Sequence, residues 1–600
     1  MKTFFKNIGN TIVKKLRKHP LICNFVLSVV LAFVLEVLGR QTFDLSAVGF
    51  VDQRSKMFLY SIFIIFVTYS VTLITKRRLF SYIIVTLLWS IVGIVNFMML
   101  SSRNTPFTYV DITLMKSVLP VMNNYFSPLE IGAMGALLLI ALVLLVVAYM
   151  YLPIEEHLNR KSGFIKVIVI IAVFSGVTSY GFKSGMLVDQ IHNIRIAFSD
   201  YGTPYCFSIT ALKNGIDKPS DYSEKKIKKI EKRTQKKVAK MKKEKVKKPN
   251  IIFVQLESHF DITQVKGVKF NKDPLPNFHK YMKGYSSGQL SMPSYGAGTA
   301  NSEFEFLTGN SMAFFPNGSV PYLQYIRDGI STIVPQLEEY GYTTYGTHPY
   351  RAKGWNREFI YDLMGFDYRY FQGSFPFEDK LRNYVSDEAD FKSILEWRNN
   401  TEGPFFMFNV TMQNHSNYGG DFDNFDPQIV AKFKNTYSNK YLNKYLSLMY
   451  ETDQDVASLL SELSQSDRKT IVVFWGDHQP NDYVVRPIYK EYGLDFDNQT
   501  YEQQQQRQKT PFFIWANYDI QEQTNVEISL NYLNILLFET AGLQLDEYQT
   551  FRKNLWQGQI PMMNAVGYRN DDGDLVEYDD APEEIQNLLN EYQNIQYYRM

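Results

Sequence analysis

Hydrophobic and polar positions divide the chain in two. Five long apolar runs occupy residues 21–38, 57–75, 80–100, 131–152 and 164–180. Each has about 17 to 22 residues, enough to cross a ~30 Å hydrocarbon core as a helix. A single such run could be a buried core helix or a signal peptide, but five in series predict a membrane domain. The first is not a cleavable signal, because spans follow it and no small-residue cleavage pattern closes it. From Asn250 the pattern shortens. Strand-length runs at 250–256, 342–347, 404–411, 470–475 and 511–516 alternate with helical patterns at 276–283, 332–340, 356–364, 440–463 and 530–541. That alternation predicts an α/β domain with a mostly parallel sheet covered by helices. The organisation read from the pattern is a five-helix transmembrane domain over 1–181, a linker over 182–249 and an α/β domain over 250–600.

Charge orients the spans. Lys2, Lys6, Lys14, Lys15, Arg17 and Lys18 precede the first, Lys76, Arg77 and Arg78 follow the second, and Arg160 and Lys161 precede the fifth. These ends belong inside by the positive-inside rule, and the loops 39–56 and 101–130 outside. An odd number of spans then places the N-terminus in the cytoplasm and the α/β domain outside the cell. Glu36 lies within the first span, where it is either functional or paired with Arg40. Lys166 is expected to snorkel. In segment 224–248 more than half the positions are Lys or Arg, with Ile227, Ile230, Val238 and Met241 as a sparse apolar stripe. It reads either as a solvated helical linker or as a surface helix held to anionic lipid. No Ala-x-Ala-like cleavage site stands out between Tyr180 and Lys248.

Composition narrows the remaining classes. Lys+Arg 63 against Asp+Glu 61 leaves a net charge of +2, which argues against a surface dedicated to nucleic acid. Hydrophobic residues at 45% exclude a disordered chain. Cys23 and Cys206 stand far apart and singly, so they form no disulfide framework, zinc-cysteine site or two-cysteine redox motif.

In open α/β sheets chemistry gathers beyond the carboxyl ends of strands. Glu257 follows the first predicted strand and Asp477-His478 the fourth, a carboxylate and imidazole set that suits Mn²⁺ or Zn²⁺. Ser294-Tyr-Gly-Ala-Gly-Thr299-Ala-Asn-Ser-Glu303 places glycines before a polar residue that opens a helix. Thr299 is there either a nucleophile or an N-cap completed by Ser302 or Glu303. His348 follows the second strand, with Trp355 and Arg357 shortly after, and His415 follows the third. An Arg fork and a Trp wall suit an anionic headgroup. Polar clusters concentrated at strand ends favour one shared site.

These motifs together resemble the lipoteichoic acid synthase family, in the sulfatase-like part of the alkaline phosphatase superfamily. The residues that carry the resemblance are Asn-Ile-Ile-Phe-Val-Gln-Leu-Glu257-Ser, Gly-Ala-Gly-Thr299-Ala-Asn-Ser-Glu-Phe-Glu, Trp355-Asn-Arg357, Asn-His415 and Trp-Gly-Asp477-His478. It extends over nearly the whole chain. By that resemblance Glu257, Thr299, Asp477 and His478 ligate a single Mn²⁺, and Thr299 is also the nucleophile. His348, Trp355, Arg357 and His415 hold the glycerophosphate group. The donor is phosphatidylglycerol, the intermediate a glycerophospho-threonine, and the acceptor a glycolipid or a growing poly(glycerol phosphate) chain, as in lipoteichoic acid synthesis on a Gram-positive cell membrane. The family also contains enzymes that add only the first unit. A sulfatase would need Cys or Ser at position 299, so Thr argues against sulfate ester hydrolysis. The competing classes are a membrane-anchored phosphoethanolamine transferase and a non-catalytic binder of anionic polymer.

Overall fold

The computed structural model describes residues 18–41, 53–103, 106–109, 111–112, 128–156, 158–184, 186–187, 197–198, 201–212, 216, 218–238, 248–265, 268–316, 318–416, 418–432, 440–481, 484–485, 488–489 and 500–600. The cationic residues Lys2 to Arg17, most of the two outer loops and the second half of the Lys-rich segment, with Met241, lie outside the described residues. The chain forms two compact units, Met1–Asn214 with Pro316–Gly318, and Gly215–Phe315 with Ser319–Met600.

In the first unit all five apolar runs are helices: α1 (Pro20–Arg40), α2 (Gln53–Tyr69), α3 (Arg78–Arg103), α4 (Pro128–Tyr151) and α5 (Arg160–Lys183). A sixth, α6 (Thr203–Leu212), packs beside α2. Leu31, Ala32, Leu35, Ile65 and Tyr69 form part of the buried core. Several polar groups between helices find partners, as hydrocarbon demands, while the buried Ser61 hydroxyl has none among the described residues. Asn24 donates to the Tyr69 carbonyl at 3.1 Å and accepts from Tyr82 at 2.8 Å. Glu36 is buried and pairs with Arg40 at 3.0 Å, which supports pairing within the first span. Along α5 large apolar side chains such as Ile165, Ile168, Val169 and Val173 are exposed, a surface that a bilayer would solvate.

The second unit begins with the Lys-rich helix α7 (Glu224–Val238), then β1 (Asn250–Leu256), α8 (Pro276–Gly284), β2 (Ser286–Ser291) and α9 (Thr299–Thr308). There follow α10 (Ile333–Glu339), β3 (Thr343–His348), α11 (Arg357–Leu363), β4 (Tyr368–Phe371), α12 (Asp387–Asn399), β5 (Phe405–Val410), α13 (Lys440–Ser464) and β6 (Thr470–Gly476). The chain ends with α14 (Tyr501–Arg507), β7 (Lys509–Ala516), β8 (Val526–Ser529), α15 (Leu530–Ala541), α16 (Glu547–Trp556) and α17 (Glu583–Arg599). Because α7 packs on α16 and α17, it belongs to this unit rather than to a free linker, and the division between units falls after Asn214 instead of at 181 or 249.

The eight-stranded sheet has the order β8-β2-β7-β6-β1-β5-β3-β4. All pairings are parallel except those of β7, which runs antiparallel to both β6 and β2. Every residue of β1, β5 and β6 is buried, as in a sheet covered on both faces. On one face Val254, Met407, Phe474 and Phe513 pack under α8, α12 and α13. On the other, Phe306 of α9 stacks on Phe408 at 5.7 Å and lies against Phe253 at 4.2 Å.

Three strands of this sheet escape the sequence pattern. β2 reads Ser-Ser-Gly-Gln-Leu-Ser, a poor strand former by composition, and it is ordered by two neighbours instead. β4 and β8 are four-residue edge strands. Pro511 sits inside β7, but it pairs only with Gln289 of β2, because the β6 ladder ends at Phe512. Its missing N–H therefore breaks no bond on that side.

A local ion triad ties α8 to the loop after β1. His279 faces Asp261 at 3.1 Å and Asp273 at 2.9 Å. The hydrogen bond that the ring donates to Asp261, with the charge of both carboxylates, lifts the imidazole to about 9. A raised folded value means stabilisation that is complete below the ordinary value of about 6.5 and lost as pH rises towards 9. Thermal unfolding of the full chain and of His279→Gln at pH 6 and pH 9.5 should show a melting difference at pH 6 that vanishes at pH 9.5. An equal difference at both would refute the linkage.

Candidate active site

Parallel register brings four strand ends to one edge. Leu256 lies beside Gly476, Gln255 beside Val410, and Thr347 beside Asn409, so Glu257, Asp477, His348 and the segment 411–415 emerge together. Position 476, the last of β6, requires glycine, because a Cβ there would lie 1.9 Å from the His259 carbonyl oxygen. The backbone at Ser258 turns with φ 52°, an uncommon conformation for a side-chain-bearing residue. That turn lets Ser258 N–H donate to Asp477 Oδ1 at 2.7 Å while its hydroxyl donates to Glu257 Oε1 at 2.7 Å.

Helix α9 enters from the side. Gly298, at φ 100°, occupies the N-cap position, where that conformation favours glycine. Thr299 is consequently the first helical residue and does not cap. Its hydroxyl faces Glu257 Oε2 at 3.5 Å. Nor do the other expected capping partners serve α9: Ser302 donates to the Asp477 carbonyl at 2.7 Å, and Glu303 turns to Arg357. The N-cap alternative for Thr299 is thereby overturned.

Glu257, Asp477 and His478 place one ligand atom each within 4.8 Å of one another, and all three are buried. Asp477 Oδ2 has no hydrogen-bond partner among the described residues. Burial and the neighbouring Glu257 carboxylate push the Asp477 carboxyl well above the usual range. His478 Nδ1 lies 2.9 Å from the Gln479 carbonyl, so Nδ1 carries the proton and Nε2 presents its lone pair 3.3 Å from Asp477 Oδ2. Burial holds this imidazole below its ordinary value, hence neutral. Two carboxylates, a lone-pair nitrogen and an orphaned buried oxygen are costly together and become favourable around a divalent cation. The donor set fits such an ion.

The second half of the site is built on Arg357. It is fully buried, and its Nε lies 3.0 and 3.1 Å from the two carboxylate oxygens of Glu303, with Nη2 also donating to Oε1. Tyr361 donates to Glu303 Oε2 at 2.7 Å. Glu303, cited in the sequence only as a helix-start residue, thus orients the guanidinium. Its position one turn after Thr299 was the available signal. Trp355 and Asn356 precede Arg357 with φ 54° and 60°, two adjacent left-handed residues, and Trp355 is half-buried. Such strain persists where the surroundings over-determine it, often at ligand sites.

His348 is buried and its Nδ1 lies 2.8 Å from the Val410 carbonyl. Burial, then the Arg357 charge, keeps this ring well below its ordinary value, so Nε2 is an acceptor rather than a cation. His415 is partly exposed, with Nδ1 2.8 Å from the Ser416 carbonyl and 3.3 Å from the Tyr384 hydroxyl. Arg382 donates to the carbonyls of Gln413 and His415 at 2.6 and 2.8 Å and so braces that loop. Tyr384 and Arg382 come from a short segment with no motif around it, which left them invisible to spacing arguments.

Residues 249–543 match the family model described as Sulfatase. A protein of Rhizobium meliloti (strain 1021), named for cyclic beta-1,2-glucan modification, is 31% identical over 322 residues, 51% of this chain and 47% of that one. The chain thus spans about half the length of this curated relative. The Streptococcus pyogenes phosphoglycerol transferase GacH, solved with sn-glycerol-1-phosphate, aligns with a TM-score of 0.52 and 25% identity, covering 64% of this chain and 95% of GacH. The Neisseria meningitidis integral membrane lipooligosaccharide phosphoethanolamine transferase A aligns with a TM-score of 0.51 and 11% identity over 90% of this chain and 97% of that one, a likeness of fold.

Proposed function

We propose that this chain, whose residues 249–543 form a sulfatase-family domain, is a membrane transferase of the alkaline phosphatase superfamily that moves glycerol phosphate from phosphatidylglycerol. The acceptor is a glycolipid anchor or a growing poly(glycerol phosphate) chain, as in lipoteichoic acid synthesis. The observation that carries this reading is the alignment with a phosphoglycerol transferase bound to sn-glycerol-1-phosphate, across 95% of that structure. The N-terminus lies in the cytoplasm and the catalytic domain outside the cell.

Glu257, Thr299, Asp477 and His478 would hold one Mn²⁺, which supplies positive charge against the anionic diester and acidifies a hydroxyl beside it. Thr299 Oγ1 attacks phosphorus from the start of α9, where backbone N–H groups favour the anionic group. The Oγ1–P bond forms as the bond from phosphorus to the diacylglycerol oxygen breaks, and the proton lost by Thr299 is balanced by the one that leaves with diacylglycerol. His415 delivers it. An acceptor hydroxyl then displaces Thr299, which regains a proton. Arg357, held by Glu303, binds the phosphate, Trp355 walls the glycerol, and neutral His348 accepts from a glycerol hydroxyl through Nε2.

The test is the full chain in vesicles with headgroup-labelled phosphatidylglycerol. Diacylglycerol release and a glycerol phosphate adduct on Thr299 are expected, both abolished by chelation and restored by Mn²⁺. Purified protein should retain about one Mn²⁺ by mass spectrometry and Asp477→Asn should not, whatever its activity. Consumption of phosphatidylethanolamine instead would make it a phosphoethanolamine transferase. Products with one unit rather than many would mark an initiating enzyme.

A further inference from the structure

The Lys-rich helix α7 is mounted rigidly and its charge is segregated. Ile227, Ile230 and Thr234 are buried against the unit. Arg233 pairs with Glu591 at 2.6 Å, and Lys237 donates to Asn554 at 3.1 Å. Asp221, just before the helix, accepts from Lys226, Asn590 and Asn594. At 100° per residue the opposite side carries Lys225, Lys228, Lys229, Lys232 and Lys236 within an arc of about 100°. All five are exposed, and the acidic residues Glu224 and Glu231 fall on the flank of that arc.

A face that only kept the protein soluble would gain from alternating signs, since like charges three and four residues apart destabilise a helix. Here lysine follows lysine at those spacings. Lysine is a strongly hydrated point charge, suited to a plane of anionic groups more than to one forked phosphate contact. The same chain carries five apolar helices, which tether the second unit to a bilayer and raise the effective concentration of its surface for this face. We infer that the Lys225–Lys236 face of α7 docks on the anionic headgroups of the membrane and so fixes how the second unit presents itself to lipid. The inference rests on the membrane assignment of the chain and needs no turnover.

The test places a fluorophore at Gln235→Cys, on the flank of the face, in full chain lacking Cys23 and Cys206. The protein is reconstituted in nanodiscs of phosphatidylcholine, or with about one third phosphatidylserine, and energy transfer to headgroup-labelled lipid is read. Phosphatidylserine is not the proposed donor, so failure of the transferase reading leaves this outcome untouched. Transfer efficiency should rise about two-fold with the anionic lipid. It should return to the neutral-lipid value at ~1 M salt, where the Debye length is about 3 Å. Replacing the five lysines by Gln should abolish the rise, and replacing them by Arg should preserve it. Equal transfer in both lipids, or a rise that survives the Gln replacement, overturns the inference. So does a response to soluble poly(glycerol phosphate) without one to phosphatidylserine, which would make the face a polyanion site.

Discussion

Thr299→Ala should abolish transfer, by at least about 10⁴-fold, while the protein melts as wild type does. The activity loss follows from removing the only group proposed to bond to phosphorus. Stability should hold because Gly298, not Thr299, stands at the N-cap, so no cap is lost. The hydroxyl that disappears makes a contact with Glu257 of only 3.5 Å, and alanine is the better helix former. Thr299→Ser keeps the hydroxyl and should keep measurable turnover. Intact mass after incubation with phosphatidylglycerol provides the second readout: the adduct should be present in wild type and Thr299→Ser and absent from Thr299→Ala. A variant without the hydroxyl that still releases diacylglycerol would show that phosphorus is attacked by another group.

Glu303→Ala should cost about 3 to 5 kcal/mol, because it strands a buried guanidinium without its counter-charge. Arg357 cannot shed its proton to escape, because a guanidinium is intrinsically too weak an acid to ionise in a protein, and the Glu303 charge that offsets its burial would be gone. Tyr361 would lose its acceptor as well. The paired change Glu303→Leu with Arg357→Met should recover much of the stability by removing both charges, yet it should not restore headgroup use. Chemical denaturation of the wild type and the two variants checks the order. If Glu303→Ala unfolds as easily as the double variant or less so, the pair is not the element that holds this side of the site.

The two variants probe opposite ends of one helix turn, which explains why the site was only half legible beforehand. Glu257, Thr299, Asp477 and His478 each sit next to a strand or a glycine turn, and those boundaries are written in local composition. The contact between Glu303 and Arg357 spans 54 positions and depends on how α9 lies over the sheet. No spacing rule carries that information. The same holds for Arg382 and Tyr384, which reach the loop after β5 from a segment without periodicity.

What the chain determined locally was the membrane half, the alternation of strands and helices, and the strand-end positions of the metal-type ligands, because hydrophobic period and turn chemistry are properties of neighbouring residues. Tertiary structure decided the rest. β2, with its serines and glycine, is a strand only because β7 and β8 flank it, and β7 is antiparallel because of where its connections run. By sequence the lysines of α7 fit either a solvated linker or a surface helix held to anionic lipid, and packing on α16 and α17 gives the helix its buried side, since a sparse apolar stripe acquires a direction only when something buries it. Gly298 took the cap from Thr299 for a similar reason: a left-handed residue before the helix frees the threonine hydroxyl to turn toward Glu257, and that choice lies in the backbone path between two distant strands.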